Sequence, residues 1–198
     1  MTVIARRSML AAAGVAAGTV AAVMWLRKSA APVLTLRPDA TPAAVRLQGM
    51  AALQPVDPPQ PVGAIGFVDA TGATHSLREY AGKGVVLNLW ATWCAPCVAE
   101  MPSLARLARA GAAQGLVVLP LSSDRGGAEV VRQFFSAHGI TDLPVALDPS
   151  GAASEALGTR GLPTTLLIDR TGHARARLEG AADWGAPGAL AAIRSLIG

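Results

Sequence analysis

The chain has 198 residues, of which 52% are hydrophobic and 15% are charged. This composition is typical of a folded globular protein and excludes an intrinsically disordered one. The formal net charge of +4 comes from the amino terminus, because without Arg6, Arg7, Arg27 and Lys28 the basic and acidic residues are equal in number. The remaining sequence has no polybasic stretch, so we expect no nucleic-acid partner.

The two basic pairs flank an uncharged segment, residues 8–26. Its length is close to the ~20 apolar residues that span a bilayer and exceeds a typical signal-peptide core. We therefore predict that residues 1–29 form a membrane anchor, with a signal cleaved after Ala31 as the alternative. Arg6 and Arg7 also resemble, incompletely, a twin-arginine export signal, which leaves the export route open. By either route the following domain would face the periplasm, and with the anchor uncleaved it would be held at the inner membrane.

Residues 30–61 contain half of the fourteen prolines in the chain. Such a density of proline favours an extended, semi-rigid spacer. We interpret this segment as a tether that holds a folded domain, residues 62–198, away from the membrane, with a short helix expected over 43–53. The domain opens with a predicted β-hairpin over Gly66–Leu77, in which an Asp/Gly turn separates two short strands.

A strongly β-forming run, Val85–Trp90, is followed by Cys94-Ala95-Pro96-Cys97 at the start of an amphipathic stretch. The cysteines therefore lie at a strand-to-helix junction, where the helix dipole and free N–H groups stabilise a thiolate. We predict that Cys94 is the attacking thiol. Cys97 lies one turn further along the helix, from which it can attack a mixed disulfide at Cys94 and release the substrate thiol.

Alternating helix and strand patterns fill the remainder of the chain and predict an α/β sheet covered by helices on both faces. A proline-containing loop at Pro163 interrupts this alternation before the next strand. The predicted elements are a helix from Cys97 to about Ala110 with Pro102 inside it, a strand over Leu116–Leu121, a helix over Ala128–His138, a strand over Leu143–Leu147, a short helix from Asp148 to Leu157, strands over Leu166–Asp169 and Ala174–Leu178, and a final helix after Pro187.

The sequence LNLWATWCAPCVAEMP around the cysteines resembles the membrane-anchored TlpA/ResA branch of the thioredoxin-fold oxidoreductases. The resemblance covers about 62–198 and implies a thioredoxin fold, with a central mixed β-sheet, helices on both faces and the added amino-terminal hairpin of this branch. It also implies that Pro163 is a cis-proline opposite the cysteines, where it would present the backbone of Leu162 to an extended substrate. Trp93 and Pro96 complete the expected substrate-contacting residues.

Two polar residues near the cysteines are candidates for tuning their reactivity. Asn88 stands at the strand position where thioredoxin has a buried Asp. In thioredoxin, proton transfer to the resolving cysteine is attributed to that Asp. In this chain an amide replaces the carboxylate. Glu100 is the acidic residue that TlpA/ResA-like proteins share, and we predict a proton-transfer or pKa-tuning role for it. The alternative is an exposed first-turn Glu that only interacts favourably with the helix dipole.

The resemblance implies an extracytoplasmic thiol:disulfide oxidoreductase that reduces protein disulfides, is reset by a membrane dithiol reductant and uses no cofactor. Its implied substrates are proteins of cytochrome oxidase copper-site assembly or of cytochrome c maturation, and TlpA-like detail favours the first. The direction of electron transfer is inferred from the family, because the sequence does not display a redox potential.

Four other interpretations of the cysteines stay open at this point. A thiol peroxidase on the same fold would carry its peroxidatic cysteine in a separate loop, and a copper-carrying module would use a wider cysteine spacing. A zinc site requires four ligands, whereas the chain has two Cys and three scattered His, so we expect no metal. A purely structural disulfide across so short a loop would constrain the unfolded chain little.

Overall fold

The computed structural model describes residues 48–198. The predicted anchor or signal over 1–29 and the tether up to residue 47 lie outside the described residues. Within 48–198, no helix combines the length and the apolar character needed to cross a membrane.

The described residues form eight strands and four α-helices. The strands are β1 Gln54–Pro61, β2 Gly66–Asp69, β3 Thr74–Ser76, β4 Gly84–Trp90, β5 Leu116–Ser122, β6 Ala146–Leu147, β7 Thr164–Ile168 and β8 His173–Glu179. The helices are α1 Ala95–Gly111, α2 Gly127–Ala137, α3 Ala152–Ala156 and α4 Ala189–Ile197, and short 3-10 helices lie at Met50–Ala52, Leu77–Tyr80 and Ala112–Gln114.

All of these strands join one sheet in the order β1-β8-β7-β4-β5-β6-β2-β3. The pairs β4–β5 and β5–β6 are parallel, and the other neighbours are antiparallel. β4 lies in the middle, and all seven of its residues are buried. The predicted central mixed sheet of a thioredoxin-like fold is therefore confirmed.

The two faces of the sheet pack in separate cores because successive strand residues point to opposite sides. Val86 and Trp90 of β4 pack with buried residues of α1, α2 and α4. Val85, Leu87 and Leu89 pack instead with α3 and the 3-10 helix that follows β3. Helices thus cover both faces, and the strand that leads to the cysteines is held rigidly from each side.

The predicted amino-terminal hairpin is present, with Phe67 of β2 opposite His75 of β3. β2 also pairs antiparallel with β6, so the hairpin extends the sheet beyond its parallel part. β6 is shorter than the predicted strand over Leu143–Leu147. Pro144 lies in the lost portion, and because proline has no N–H it cannot complete the ladder there.

The tether prediction is wrong for the segment next to the domain. Gln54–Pro61 forms the edge strand β1, antiparallel to β8, with a register shift between Pro55 and Gln60. The prolines are compatible with this strand because an edge strand needs backbone hydrogen bonds on one side only. Residue 48 also forms a bridge with Ala182. The folded domain therefore begins before residue 62.

Part of the short helix expected over 43–53 falls on residues that the structure describes. There it is reduced to the single 3-10 helix at Met50–Ala52. Gly49 precedes that turn in an extended conformation without a side-chain cap, so the chain has no helix start signal at this point. The turn leads directly into β1, whose pairing with β8 requires extended backbone.

Candidate active site

The two cysteines form a disulfide at the amino terminus of α1. Cys94 is the capping residue of the helix, and its Sγ accepts a hydrogen bond from the Cys97 N–H at 3.3 Å. Because β4 ends at Trp90, the pair lies at the strand-to-helix junction that the sequence predicted. The helix dipole and the free N–H groups of the first turn stabilise a thiolate at this position.

The two sulfur-bearing residues differ in their access to solvent. Cys94 is 7% exposed, whereas Cys97 is fully buried. The adjacent Trp93 is 71% exposed and is the only exposed large hydrophobic side chain between residues 48 and 198. Pro96, between the cysteines, is half-buried. A substrate disulfide can therefore approach Cys94 along the Trp93 side chain, and this asymmetry supports the predicted roles of attacking and resolving thiol.

Pro163 lies at the same end of the sheet as the cysteines. The Leu162–Pro163 peptide bond is cis, as the resemblance implied. Thr164, the next residue, is opposite Leu89 in the β7–β4 ladder, which places Pro163 beside the end of the strand that leads to Cys94. Leu162 itself is half-buried and lies outside the ladder, so its backbone is available to an extended partner strand.

Glu100 is fully buried, which excludes the alternative of an exposed first-turn residue. Its Oε2 accepts hydrogen bonds from the Ala182 N–H and the Trp184 Nε1–H, both at 2.9 Å, and its Oε1 accepts one from Asn88 Nδ2 at 2.8 Å. Burial raises the pKa of the Glu100 carboxyl, and these three hydrogen bonds only partly oppose that effect. A buried carboxyl with a raised pKa, one helical turn beyond Cys97, is suited to proton transfer.

Asn88 connects Glu100 to the strand that follows Pro163. Its Nδ2 also donates to Thr165 Oγ1 at 2.9 Å, and both Asn88 and Thr165 are fully buried. The Asn88 Oδ1 has no hydrogen-bond partner among the described residues. The position of the thioredoxin Asp is thus occupied by an amide that contacts the predicted proton-transfer group.

The sequence reasoning missed Ala182 and Trp184, which supply two of the three donors to Glu100. They lie 82 and 84 residues further along the chain, in the loop between β8 and α4. Trp184 is 1% exposed, and its backbone N–H donates to Ser103 Oγ on α1 at 3.2 Å. No local sequence pattern links these residues to Glu100. The only available signal was the presence of a tryptophan in an otherwise small-residue loop.

The segment that was predicted to be a tether supports the same loop. Gln48 donates its backbone N–H to Ala181 O at 2.8 Å and accepts a hydrogen bond from the Asp183 N–H at 3.0 Å. Its side chain donates to Glu179 O at 2.8 Å. These contacts lie on either side of Ala182, so residue 48 helps to fix the backbone donor that faces Glu100.

A second buried carboxylate, also missed, anchors the loop before the cysteines. Asp124 is 4% exposed and accepts hydrogen bonds from the Thr92 N–H at 2.9 Å, the Thr92 hydroxyl at 2.7 Å and the Ser122 hydroxyl at 2.8 Å. A signal for it exists in the sequence, since Asp124 follows the carboxyl end of a parallel strand, where functional polar residues of α/β folds gather. It holds the turn that presents Trp93 and Cys94.

A groove of about 550 Å³ begins at Trp93 and runs between the loops that follow β5 and β6. Its polar lining includes Asp124, Arg125 and Ser150. Among residues 48–198, no three His, Cys, Asp or Glu side chains are grouped so that they could hold a metal ion. The arrangement of a slightly exposed cysteine, a fully buried partner cysteine and a buried carboxyl is chemically suited to dithiol–disulfide exchange.

Comparison with known proteins agrees with the dithiol–disulfide chemistry of this site. The AhpC/TSA family profile matches residues 60–177. The thiol-disulfide oxidoreductase ResA of Geobacillus thermodenitrificans is 37% identical over 112 residues, 57% of this chain and 63% of the relative. The ResA of Geobacillus kaustophilus is 36% identical over 114 residues, 58% of this chain and 64% of the relative. The chain thus spans less than two thirds of the length of these curated relatives.

Solved structures show the same fold. A Chlorobium tepidum protein assigned as the thiol:disulfide interchange protein DsbE superposes with a TM-score of 0.63 at 25% identity, over 72% of this chain and 99% of that protein. The exposed lipoprotein thioredoxin Etrx1 of Streptococcus pneumoniae superposes with a TM-score of 0.56 at 29% identity, over 66% and 98%. Together with the profile match over more than half of its length, these results show that the chain belongs to the AhpC/TSA family and has its thioredoxin-like fold.

Proposed function

We propose that this protein is a thiol:disulfide oxidoreductase that reduces disulfides in other proteins. The observation that carries the proposal is the unequal burial of Cys94 and Cys97 at the start of α1. Cys94, the more exposed of the two, is the residue that a substrate disulfide can reach, whereas the fully buried Cys97 is left to act within the protein. The similarity to proteins named thiol-disulfide oxidoreductase supports the same activity.

The reaction begins with the reduced pair. The Cys94 thiolate attacks one sulfur of the substrate disulfide, forms a mixed disulfide and releases the other substrate sulfur as a thiolate. Cys97 then loses its proton and attacks the Cys94 Sγ, which releases the second substrate thiol and forms the Cys94–Cys97 disulfide seen here. Two electrons pass from the protein to the substrate. Glu100, three residues beyond Cys97, is the group to which we assign the proton of the resolving thiol.

We further propose that the protein acts on the periplasmic side of the inner membrane, held there by residues 1–29 and reset by a membrane dithiol reductant. The uncharged segment between two basic pairs supports an anchor. One structural neighbour is described as an exposed lipoprotein. The proposed substrates are cysteine pairs of cytochrome oxidase copper-site assembly or of cytochrome c maturation, in line with the resemblance to the TlpA/ResA branch.

The direction of the reaction is tested by the reduction potential of the Cys94–Cys97 pair. The full chain, solubilised in detergent, would be equilibrated against dithiothreitol or glutathione buffers and the oxidised fraction measured. A potential near that of thioredoxin, roughly −270 mV, is expected for a reductant. A potential near roughly −120 mV, that of a strong disulfide donor, would overturn the reductase assignment.

Substrates and location are tested by trapping in cells. Replacement of Cys97 by Ser leaves the attacking thiol in place and removes the resolving one, so mixed disulfides at Cys94 accumulate. We expect mass spectrometry of the trapped complexes to identify periplasmic copper-assembly or cytochrome proteins. The doubly substituted variant, with Ser at both positions, is the control. Recovery of cytosolic proteins alone would contradict the proposed location, and absence of any specific adduct would contradict the proposed activity.

A further inference from the structure

Asn88 makes an unusual set of contacts for a buried amide. Both of its observed hydrogen bonds come from Nδ2, which donates to Glu100 Oε1 at 2.8 Å and to Thr165 Oγ1 at 2.9 Å. Its Oδ1 is buried without a partner among the described residues. An unpaired acceptor in the interior costs free energy, so this side chain is held by one end only.

The contacts of Glu100 determine where a proton can be added. Oε2 already accepts two N–H groups, from Ala182 and Trp184, whereas Oε1 accepts one. A proton therefore binds at Oε1, the oxygen that faces Asn88. In the observed orientation the new O–H would point at an N–H of Asn88, and two donors would face each other.

Rotation of the Asn88 amide by half a turn removes this conflict. Oδ1 then lies where Nδ2 now lies, and it can accept from the protonated Glu100 and from the Thr165 hydroxyl, which is able to donate as well as accept. Each orientation has two hydrogen bonds, and each leaves the other end of the amide unpaired. The two orientations therefore differ chiefly in the protonation state of Glu100 that they accommodate.

We propose that Asn88 is a positioning residue whose amide orientation changes with the protonation of Glu100, so that the buried carboxyl is hydrogen-bonded in both of its states. This inference rests on the proposed proton-transfer role of Glu100. One orientation stabilises the carboxylate and the other stabilises the acid. Glu100 can thus take up and release the proton of Cys97 without either form being left unpaired in the interior.

The other charged groups near Glu100 do not supply this function. β4 and β7, which carry Asn88 and Thr165, contain no titratable side chain. On the loop that carries Ala182 and Trp184, Asp183 lies 3.7 Å from Arg106 of α1, and both side chains are about half exposed. On α1 itself, Arg109 is exposed and pairs with Asp142, and Cys97, one turn before Glu100, is the proposed proton donor in the reduced protein.

The test uses Glu100→Gln as a mimic of the protonated acid. The Gln Oε1 can accept from Ala182 and Trp184, while its Nε2 donates toward Asn88 and requires the rotated amide. We expect the side-chain amide signals of Asn88 in NMR spectra of the full-length variant to match those of the wild-type protein at low pH. Nuclear Overhauser contacts between the Asn88 amide protons and the Thr165 methyl group should weaken relative to wild-type protein at high pH.

The wild-type protein gives an independent measurement if the Gln variant does not fold. Its Asn88 amide signals should shift with the same midpoint as the Glu100 side-chain carboxyl carbon. An Asn88 signal that is unchanged across the Glu100 titration would overturn the proposal. So would a Gln variant whose nuclear Overhauser contacts between Asn88 and Thr165 are as strong as those of the wild-type protein at high pH.

Kinetics separate this result from failure of the proposed function. If Glu100 transfers the proton, Glu100→Gln should slow disulfide reduction roughly 100-fold. A normal rate in that variant would remove the catalytic role of Glu100, whatever Asn88 does. A slow rate with an unresponsive Asn88 would remove the rotation of the amide only.

Discussion

Glu100 and Asp69 are two carboxyl groups of this protein with opposite shifts in proton affinity. Glu100 accepts three hydrogen bonds from neutral donors, and Oδ1 of Asp69 also accepts three, from the N–H and hydroxyl of Thr71 and the N–H of Ala73. Burial nevertheless raises the pKa of Glu100, whereas the hydrogen bonds of the exposed turn, led by that of the Thr71 hydroxyl, lower the pKa of Asp69.

The number of donors therefore does not decide whether a carboxyl keeps its proton. Access to water decides it, because the burial that raises the pKa of Glu100 outweighs its three hydrogen bonds, whereas at the more exposed Asp69 the hydrogen bonds outweigh the effect of burial. The difference assigns different roles to the two sites. The turn holds a permanent charge, and the core holds a group that can exchange a proton.

The largest expected effect is that of Glu100→Ala on stability. This change leaves the Ala182 and Trp184 donors unpaired in the interior and opens a cavity, so we expect the free energy of unfolding to fall by about 3 kcal/mol. Urea denaturation measures it. Glu129→Ala is the matched control, because Glu129 is an exposed first-turn residue of α2 whose carboxylate accepts a hydrogen bond from Gln133 at the helix surface. A loss below about 1 kcal/mol for Glu100→Ala would show that its hydrogen bonds are not formed in solution.

A smaller effect is expected from Trp184→Phe, which removes one donor to Glu100 and keeps an aromatic ring. Trp90→Phe is a close control, because Trp90 is also fully buried but its Nε1 has no partner within residues 48–198. Both variants lose similar ring volume. We expect Trp184→Phe to lose about 1 kcal/mol more than Trp90→Phe in denaturant unfolding. Equal losses would mean that the Trp184–Glu100 hydrogen bond adds nothing to stability.

The pH dependence of the stability of Glu100→Gln tests the raised pKa of Glu100, which distinguishes it from Asp69. The folded-state pKa of Glu100 is raised above the ordinary pKa of 4.5. Its favourable contribution to the free energy of unfolding is therefore fully present below pH 4.5 and is lost as the pH rises through the folded-state pKa. The Gln variant does not ionise. Its thermal stability relative to the wild type should therefore increase with pH over that interval. A constant difference between the two melting temperatures would contradict the raised pKa.

The smallest effect is expected at the exposed cluster, where His75 lies between Asp69 and Glu79. The pKa of His75 is raised, chiefly by its hydrogen bond to Glu79, so its contribution is lost as the pH rises above 6.5 through the folded-state value. The pKa values of Asp69 and Glu79 are lowered, so their contribution is lost at acidic pH. The stabilisation by His75 should therefore be greatest at mildly acidic pH.

The measurement is the melting temperature of His75→Asn and of the wild-type protein as a function of pH. We expect a difference that is maximal near pH 5 to 6 and declines on both sides. His138→Asn is the control, since the His138 ring contacts the Phe134 carbonyl and Phe134 ring rather than a carboxylate. The same maximum in both variants would show that the carboxylates around His75 are not its cause.

Much of the active site could be predicted because its signals are local. The strand before Cys94, the helix that starts after it and the turn chemistry of the hairpin all lie within short windows of sequence. The position of Pro163 opposite the cysteines was predicted from the family resemblance, because no local sequence pattern links Pro163 to them. These elements agree with the structure because propensity, hydrophobic pattern and tertiary packing favour the same conformation there.

The surroundings of Glu100 could not be predicted, because two of its three donors come from residues more than 80 positions away. The strand β1 was missed for a different reason. Its prolines favour an extended spacer, and only tertiary pairing with β8 decides that the extended segment is a strand. In both cases contacts distant in sequence determine the outcome, and no local pattern encodes them.

The prolines of β1 have a consequence for association between chains. β1 is an outer strand of the sheet, and four of its eight residues are proline. These residues have no N–H to offer to an incoming strand, so this edge resists the strand addition that leads to aggregation. A protein proposed to bind an extended substrate segment at Leu162 benefits from such an edge, because the segment is then less able to pair with β1 than with the backbone beside the reactive sulfur.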